Sequence, residues 1–241
     1  MGAWSTVGRP LDWIETFMDW LKPLDEYCER AGPAFWAEPL NAFSNLAFLF
    51  AALLAFQMCR RQSARRSAFW LAGLLAAVGI GSFLYHTFAN LWSMFADIIP
   101  IYIFQISLVV LYGAAFADHF GKPKSTGIII VLLLFVALTL GFLKVPREIA
   151  NGSFAYASSL ITITLFAICQ YYFSGRRTTT LLLASALFAL AIVFRTIDDA
   201  ACQHFKLGTH FLWHGVNAAV LFLAVCSYLE ITRPVSKGPR A

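Results

Sequence analysis

The sequence has little charge for its length, and this shortage excludes an ordinary water-soluble domain. Only 13% of its 241 residues are Asp, Glu, Lys or Arg, whereas soluble domains are about a quarter charged. Hydrophobic residues make up 59% of the chain, and they form long blocks instead of amphipathic stripes. The mean hydropathy is +0.69. Lipid is therefore the predicted solvent for most of the chain.

The sequence also lacks the patterns of several common protein classes. Its five cysteines are scattered and form no CxxC pair, which excludes a dense disulfide framework and a thioredoxin-like motif. Lys and Arg lie in short groups between apolar blocks, so the net charge of +5 predicts no nucleic-acid partner. Asp12, Glu15 and Asp19 interrupt any secretory signal, so we expect the first apolar span to be a retained helix.

What the chain has instead is a series of apolar segments long enough to cross a bilayer, which takes about 20 residues. Turn or charge signals separate seven of them, at 40–58, 67–88, 92–116, 125–143, 153–173, 179–197 and 209–229. The sequence therefore predicts an all-α integral membrane protein, a seven-transmembrane-helix bundle. An acidic N-terminal segment, 1–39, precedes the helical domain, 40–230, and a short basic tail, 231–241, follows it.

The distribution of basic residues predicts the orientation of this bundle. The loops after the first, third and fifth spans and the C-terminal tail together carry eleven Lys and Arg residues. The loops on the opposite side carry four when Arg195 at the end of the sixth span is included, and seven acids outnumber the three basic residues of the N-terminal segment. By the positive-inside rule the N-terminus is non-cytoplasmic and the C-terminus is cytoplasmic.

A few polar residues lie inside the apolar spans, where each is costly and indicates a function. Ser82 and His86 are four residues apart and share a face of the second helix. Asp97 follows a short turn, so it is predicted to face His86 at the same depth. His210 and His214 share a face at the start of the seventh helix, on the same side of the membrane.

Three histidines at one depth predict a metal site. Two histidines at positions i and i+4 can bind one zinc ion, and a third on another helix completes the set typical of catalytic zinc. The alternative is that these polar side chains only hold helices together through hydrogen bonds. The same choice remains open for Asn41, Ser44 and Asn45, which either brace the site or join helices. Arg195 with Asp198 or Asp199 is predicted to form an ion pair at the membrane interface.

These residues resemble the pattern of the alkaline ceramidases, a branch of a seven-helix hydrolase superfamily that includes the adiponectin-type receptors. Ser82-x3-His86, Asp97 and His210-x3-His214 are similar to the superfamily's metal signature. The segments that favour the ceramidase branch are Cys28-Glu29 and the run from Glu38 to Asn45, and Ile197-Asp198 with Cys202 resembles another family element. The resemblance extends from about residue 25 to 230.

The resemblance implies roles for individual residues. It makes His86, His210 and His214 the zinc ligands, and it places Ser82 and Asp97 beside the zinc-bound water as catalytic residues.

The resemblance also implies a calcium site and a disulfide. The calcium site would draw on the N-terminal acids Asp25, Glu26, Glu29 and Glu38, and the alternative is that these acids form only a solvated acidic segment. Two positions depart from the family's pattern, because Glu26 stands where the family has an aspartate and Ala31 where it has an asparagine. The implied disulfide joins Cys28 to Cys202.

The expected function is that of a zinc-dependent amidase that cleaves the N-acyl bond of a ceramide-like membrane lipid. The two alternatives are a receptor of the adiponectin-receptor branch and a non-catalytic membrane protein or transporter. We expect no obligate protein partner. The resemblance to bacterial members favours an inner membrane, with the zinc site in its periplasmic half.

Overall fold

The computed structural model describes residues 20–173 and 178–232, and within these ranges the protein is helical and contains no strand. We number its α-helices in chain order: α1 Pro39–Ser44, α2 Leu46–Arg61, α3 Arg66–Phe88, α4 Leu91–His119, α5 Lys124–Phe142, α6 Ala157–Phe173, α7 Thr180–Thr196, α8 Asp198–Ala201 and α9 His210–Thr232. A 3₁₀ helix, Ile149–Tyr156, precedes α6. Residues 1–19 of the acidic segment, the basic residues at 176–177 and tail positions 233–241 lie outside the described ranges.

Six of the seven predicted apolar spans form helices long and apolar enough to cross a membrane. They are Pro39–Arg61, Arg66–Phe88, Leu91–His119, Lys124–Phe142, Ile149–Tyr172 and His210–Thr232. The remaining span forms α7, an apolar helix of 17 residues, which is about 26 Å long and slightly shorter than a typical hydrocarbon core. The protein is therefore a multi-pass membrane protein, and the count of seven crossings stays a prediction.

The long helices pack as a closed ring. Helices α2 to α7 follow one another around the bundle, and α9 closes it by packing between α7 and α2. Most of α5 faces outward, with Ile129, Ile130 and Leu133 exposed, as expected for a helix that contacts lipid. By contrast, half of the residues of α3 and of α9 are buried, so one face of each helix lies inside the ring.

A tight turn sets the relative depth of α3 and α4. Ala89 ends α3 in the left-handed conformation, with φ of 40°. Asn90 then caps α4: its side chain accepts a hydrogen bond from the Ser93 amide, and Ser93 Oγ accepts one from the Asn90 amide. Because the two helices meet at this turn, His86 and Asp97 lie near one end of the bundle, as the sequence predicts.

The residues before α1 fold across that same end of the bundle. The amide of Leu24 donates to the carbonyl of Ala89, and Tyr85 donates its hydroxyl to the carboxylate of Glu26. A disulfide joins Cys28 to Cys202, which confirms the predicted pairing. The described part of the acidic segment is therefore a fixed cover over the ends of α3 and α9.

Candidate metal centre

The structure brings three histidines together inside the ring. His86 lies in the last turns of α3, and His210 and His214 lie in the first two turns of α9. Each is at most 2% exposed, and one nitrogen from each ring lies within 4.8 Å of the others. Within the described residues this is the only group of three or more His, Cys, Asp or Glu side chains arranged to hold a metal ion.

A buried carboxylate sets the tautomer of His86. Glu38 Oε2 lies 2.6 Å from His86 Nδ1, and an ionised carboxylate can only accept a hydrogen bond. Nδ1 therefore carries the proton, and Nε2 keeps the lone pair that a metal ion requires. Burial raises the pKa of Glu38, but His86, Asn41 and Arg30 together outweigh this effect and lower the pKa below its usual value.

A serine sets the tautomer of His214 by a different route. Ser44 Oγ lies 2.7 Å from His214 Nδ1 and also 2.7 Å from the carbonyl oxygen of Asn41. The hydroxyl has one proton, which it donates to the carbonyl, so it must accept the hydrogen bond from His214 Nδ1–H. The Nε2 atom of His214 is left as an acceptor. Of the two roles left open for Ser44, the structure supports bracing of the site.

His210 is held by packing instead of by a hydrogen bond to its ring. The Tyr27 ring stacks on it with 3.7 Å between ring centroids. His210 Nδ1 is buried and has no hydrogen-bond partner among the described residues. Burial raises the pKa of Tyr27 well above its ordinary value, so its phenol stays neutral beside the site.

Ser82 and Asp97 lie beside the three histidines. Ser82 is 4% exposed, and its Oγ is 3.5 Å from His214 Nε2. The carboxylate of Asp97 interacts with His86 and Ser82, and its Oδ1 is buried with no hydrogen-bond partner in the described part of the chain. Unpaired buried polar atoms are costly. The unpartnered oxygen of Asp97 beside the three histidines is consistent with a ligand at this site, and three imidazole nitrogens are a donor set that fits zinc.

Asp198 fixes the start of α9. It is fully buried, and its Oδ1 accepts hydrogen bonds from the amides of Thr209 and His210 at 2.6 and 2.9 Å. Its Oδ2 accepts one from the Cys28 amide at 3.0 Å. The carboxylate therefore caps the helix that carries two of the three histidines and ties it to the N-terminal cover.

The predicted ion pair between Arg195 and Asp198 or Asp199 is wrong. Neither acid lies within ion-pairing distance of Arg195 in the described structure. Instead, the Arg195 guanidinium donates to the carbonyl of Asn151 and lies 5.2 Å from the centre of the Tyr156 ring. It therefore holds the 3₁₀ segment, whose residues 150 to 152 adopt positive φ angles. Asp198 is unavailable because it caps α9.

The structure does not gather the four acids predicted to bind calcium. Glu29 accepts hydrogen bonds from the amides of Leu40 and Asn41, each at 2.7 Å, and so caps α1. Glu38 is bonded to Arg30, Asn41 and His86. Asp25 and Glu26 are exposed, and no group of three or more such acids meets in the described structure. The donor set therefore does not fit the implied ion.

Two cavities meet at Asp97. One is apolar, with a volume of about 90 Å³, and reaches into the ring past Phe104, Leu108 and Phe166. The other is more polar, has a volume of about 440 Å³, and lies under the N-terminal cover beside Arg147 and Arg195. Both are lined by a shared set of residues: Tyr27, Asp97, Ile101, Gln105 and Tyr156. His210 and His214 line the apolar cavity, which adjoins the second cavity at this shared set.

Sequence reasoning missed four residues that position the site: Tyr27, Arg30, Glu38 in its role at His86, and Asp198 as a helix cap. The sequence predicts Glu38 only as a calcium ligand. Asp198 had one usable signal, since it lies close before the apolar span that begins with the histidines. Tyr27 and Arg30 had none, because nothing in a short loop sequence predicts which side chains fold inward.

The fold and the site define a class, a multi-pass membrane protein with a buried histidine group suited to a metal ion. The model of the Ceramidase family matches residues 26–237. The chain therefore belongs to the Ceramidase family, and membership supports a ceramidase-like hydrolase. No curated protein matches the chain.

Proposed function

We propose that this protein is a zinc-dependent amidase that hydrolyses the N-acyl bond of a ceramide-like lipid to a sphingoid base and a fatty acid. The observation that carries the proposal is the histidine group beside Asp97 and Ser82, next to an apolar cavity that adjoins a more polar one at Asp97. Membership of the Ceramidase family supports a hydrolase of this kind.

His86, His210 and His214 would hold the zinc ion through one nitrogen each. When bound, zinc supplies Lewis-acid polarisation of a carbonyl and a lower pKa for water at the site. Glu38 and Ser44 hold His86 and His214 in the tautomer that keeps Nε2 available. The protein therefore orients two of the three proposed ligands before any metal ion binds.

Asp97 is the proposed general base. Its carboxylate lies beside His86 and Ser82, and its buried Oδ1 has no partner among the described residues. It would accept a proton from the attacking water and then deliver that proton to the leaving amine. General acid–base catalysis by a positioned side chain contributes about 10²–10⁴-fold in rate.

Ser82 is the proposed donor to the oxyanion that forms as the amide carbonyl is attacked. It is buried, it lies 3.5 Å from His214 Nε2, and it lines the apolar cavity together with Asp97. A donor at such a position contributes about 2.7–4 kcal/mol in other hydrolases. In this proposal Ser82 stabilises the negative charge on the carbonyl oxygen, and Asp97 transfers the proton.

The two cavities suit the two ends of a lipid amide. The apolar cavity, at about 90 Å³, would take the part of the acyl chain next to the amide, among Phe104, Leu108 and Phe166. The polar cavity would take the hydroxylated end of the lipid, near Arg147, Asn151 and Arg195. The scissile bond then falls at Asp97, which both cavities share.

The orientation predicted from the basic loops completes the proposal. With seven crossings and a non-cytoplasmic N-terminus, the metal site lies in the outer half of the membrane, and in a bacterium it faces the periplasm. A lipid from that leaflet can reach the site without crossing the bilayer.

The test is the His214→Ala variant, purified in detergent and assayed for release of fatty acid from a fluorescent ceramide. We expect loss of both hydrolysis and stoichiometric zinc, because the two remaining histidines are too few to hold the ion. The matched control is His119→Ala, since His119 is exposed at the end of α4, far from the site in the chain. Unchanged hydrolysis by the His214 variant at equal expression would refute the zinc mechanism.

A further inference from the structure

Arg30 is a buried arginine that reaches a candidate metal ligand from the N-terminal cover. It is 8% exposed, and its Nε pairs with Glu38 Oε1 in a buried salt bridge. One terminal nitrogen donates to the carbonyl of Gly32 at 3.0 Å, and the other donates to the carbonyl of His86 at 3.1 Å. The guanidinium therefore contacts both the backbone of His86 and the carboxylate that holds the ring of His86.

Glu38 needs a positive partner in this position. It is 2% exposed, and an ionised carboxylate removed from water is destabilised unless a cation compensates its charge. His86 cannot supply that charge while it binds a metal ion, because a ligating histidine is neutral. Among the described residues, Arg30 is the only Lys or Arg paired with Glu38.

A divalent cation is what the family resemblance implies at this acidic segment, and the residues present do not fit it. Calcium takes six to eight oxygen ligands. Both oxygens of Glu29 accept backbone amide hydrogen bonds, and both oxygens of Glu38 are bonded to side chains. The guanidinium on Glu38 would also repel a second cation placed on the same carboxylate.

We propose that Arg30 is a built-in cation that takes the place of the implied calcium ion and positions His86 through Glu38. The fork of the guanidinium holds Glu38 with one nitrogen and the His86 carbonyl with another, so the ring and the backbone of one ligand are fixed together. Arg30 is a positioning residue, because it acts through Glu38. Its effect on zinc rests on the proposed function, whereas its replacement of calcium does not.

The first experiment measures the response of the purified protein to calcium without using activity. Elemental analysis should find no stoichiometric calcium after purification in calcium-containing buffer. The thermal midpoint should be the same in calcium and in a calcium-selective chelator, because no ion binds the native state preferentially. One bound calcium per chain together with a higher midpoint in calcium would overturn the proposal.

The second experiment compares Arg30→Met with Arg30→Lys. Methionine keeps much of the length but removes the charge, so we expect a lower thermal midpoint and a zinc affinity reduced about 10–100-fold, as for other residues that orient metal ligands. Lysine keeps the charge without the fork and should recover part of both losses. Arg65→Met is the matched control, because Arg65 is exposed in the α2–α3 loop.

A double variant separates compensation of charge from general damage. Adding Glu38→Gln to Arg30→Met removes the uncompensated carboxylate, so the thermal midpoint should rise relative to Arg30→Met alone. No rise, or an Arg30→Met protein with wild-type midpoint and zinc affinity, would refute the role of Arg30. If wild-type protein binds no zinc, the proposed function fails, yet the midpoints still decide whether Arg30 replaces the cation.

Discussion

Gly81 of α3 packs directly against the carbonyl of Ala96 in α4. A Cβ atom built on Gly81 would lie 2.0 Å from that oxygen and 3.1 Å from the Cα of Asp97. Pro100 lies inside α4 and has no N–H to donate to the Ala96 carbonyl four residues earlier. The two backbones therefore touch where the Ala96 carbonyl has no hydrogen bond within α4. This contact places Ser82 and His86 beside Asp97.

We expect Gly81→Ala to lower the hydrolysis rate strongly. The added methyl cannot fit against backbone atoms, so α3 must move away from α4 and carry Ser82 with it. A displacement of about 1 Å at a reacting group costs on the order of 100-fold in rate. The measurement is kcat for a fluorescent ceramide in zinc-loaded protein.

Gly73→Ala is the control for this change in the same helix. A Cβ on Gly73 meets only the tip of the Phe56 ring, at 4.0 Å, so this variant should keep its activity. Equal kcat values for the two alanine variants would show that the close contact of α3 with α4 does not position the site.

Asp97→Asn and Ser82→Ala test the division of work between these two residues. Asparagine cannot accept the proton from water, so we expect kcat to fall about 10²–10⁴-fold. Loss of the hydroxyl at Ser82 should reduce kcat about 10²–10³-fold. Zinc content, measured on the same samples, should stay stoichiometric in both variants because neither residue is a proposed ligand. Loss of zinc from either variant would show that the substituted residue helps to hold the metal ion.

Gly208→Ala should weaken the start of α9. Gly208 has φ of +63°, and a Cβ there would lie 2.2 Å from Asp198 Oδ1 and 2.7 Å from Cys28 Cβ. The left-handed backbone alone costs about 1–2 kcal/mol for other residues. We therefore expect a lower thermal midpoint and weaker zinc binding, because the displaced carboxylate no longer caps the histidine helix.

Gly215→Ala provides the comparison for Gly208. It lies in α9, and a Cβ there meets nothing within 4 Å. Alanine in a helix interior is favoured over glycine by roughly 0.5–1 kcal/mol, so this variant should melt no lower than the wild type. Equal thermal midpoints for Gly208→Ala and Gly215→Ala would contradict the role of Asp198 as the cap of α9.

Removal of the disulfide should destabilise the N-terminal cover. Cys28 and Cys202 are 174 residues apart, and loss of a native disulfide typically costs about 2–5 kcal/mol. The Cys28→Ser, Cys202→Ser double variant should have a lower thermal midpoint and weaker zinc binding, because Tyr27 and Arg30 lose their anchor. Cys169→Ser, at a free cysteine, should leave both unchanged. A midpoint insensitive to the double change would contradict this role.

Much of the fold followed from the apolar blocks. Six of the seven predicted spans coincide with helices of membrane-crossing length, because a segment in lipid must satisfy its backbone hydrogen bonds internally. The apolar span from 40 to 58 did not predict the short break at Asn45 that separates α1 from α2. On the α1 side of this break, Asn41 bonds to the nearby Glu38 and Ser44 contacts the distant His214, a contact that nothing in the local composition predicts.

The sequence by itself determined the helical membrane class and the five polar residues of the candidate centre, because ionisable groups are rare where lipid makes them costly. Only the tertiary structure decided what the acidic segment does. A carboxylate in a loop can face solvent, cap a helix or pair with a cation, and its neighbours along the chain do not distinguish these outcomes. In the folded protein, Glu29 accepts hydrogen bonds from the amides of α1, and Glu38 lies between Arg30 and His86.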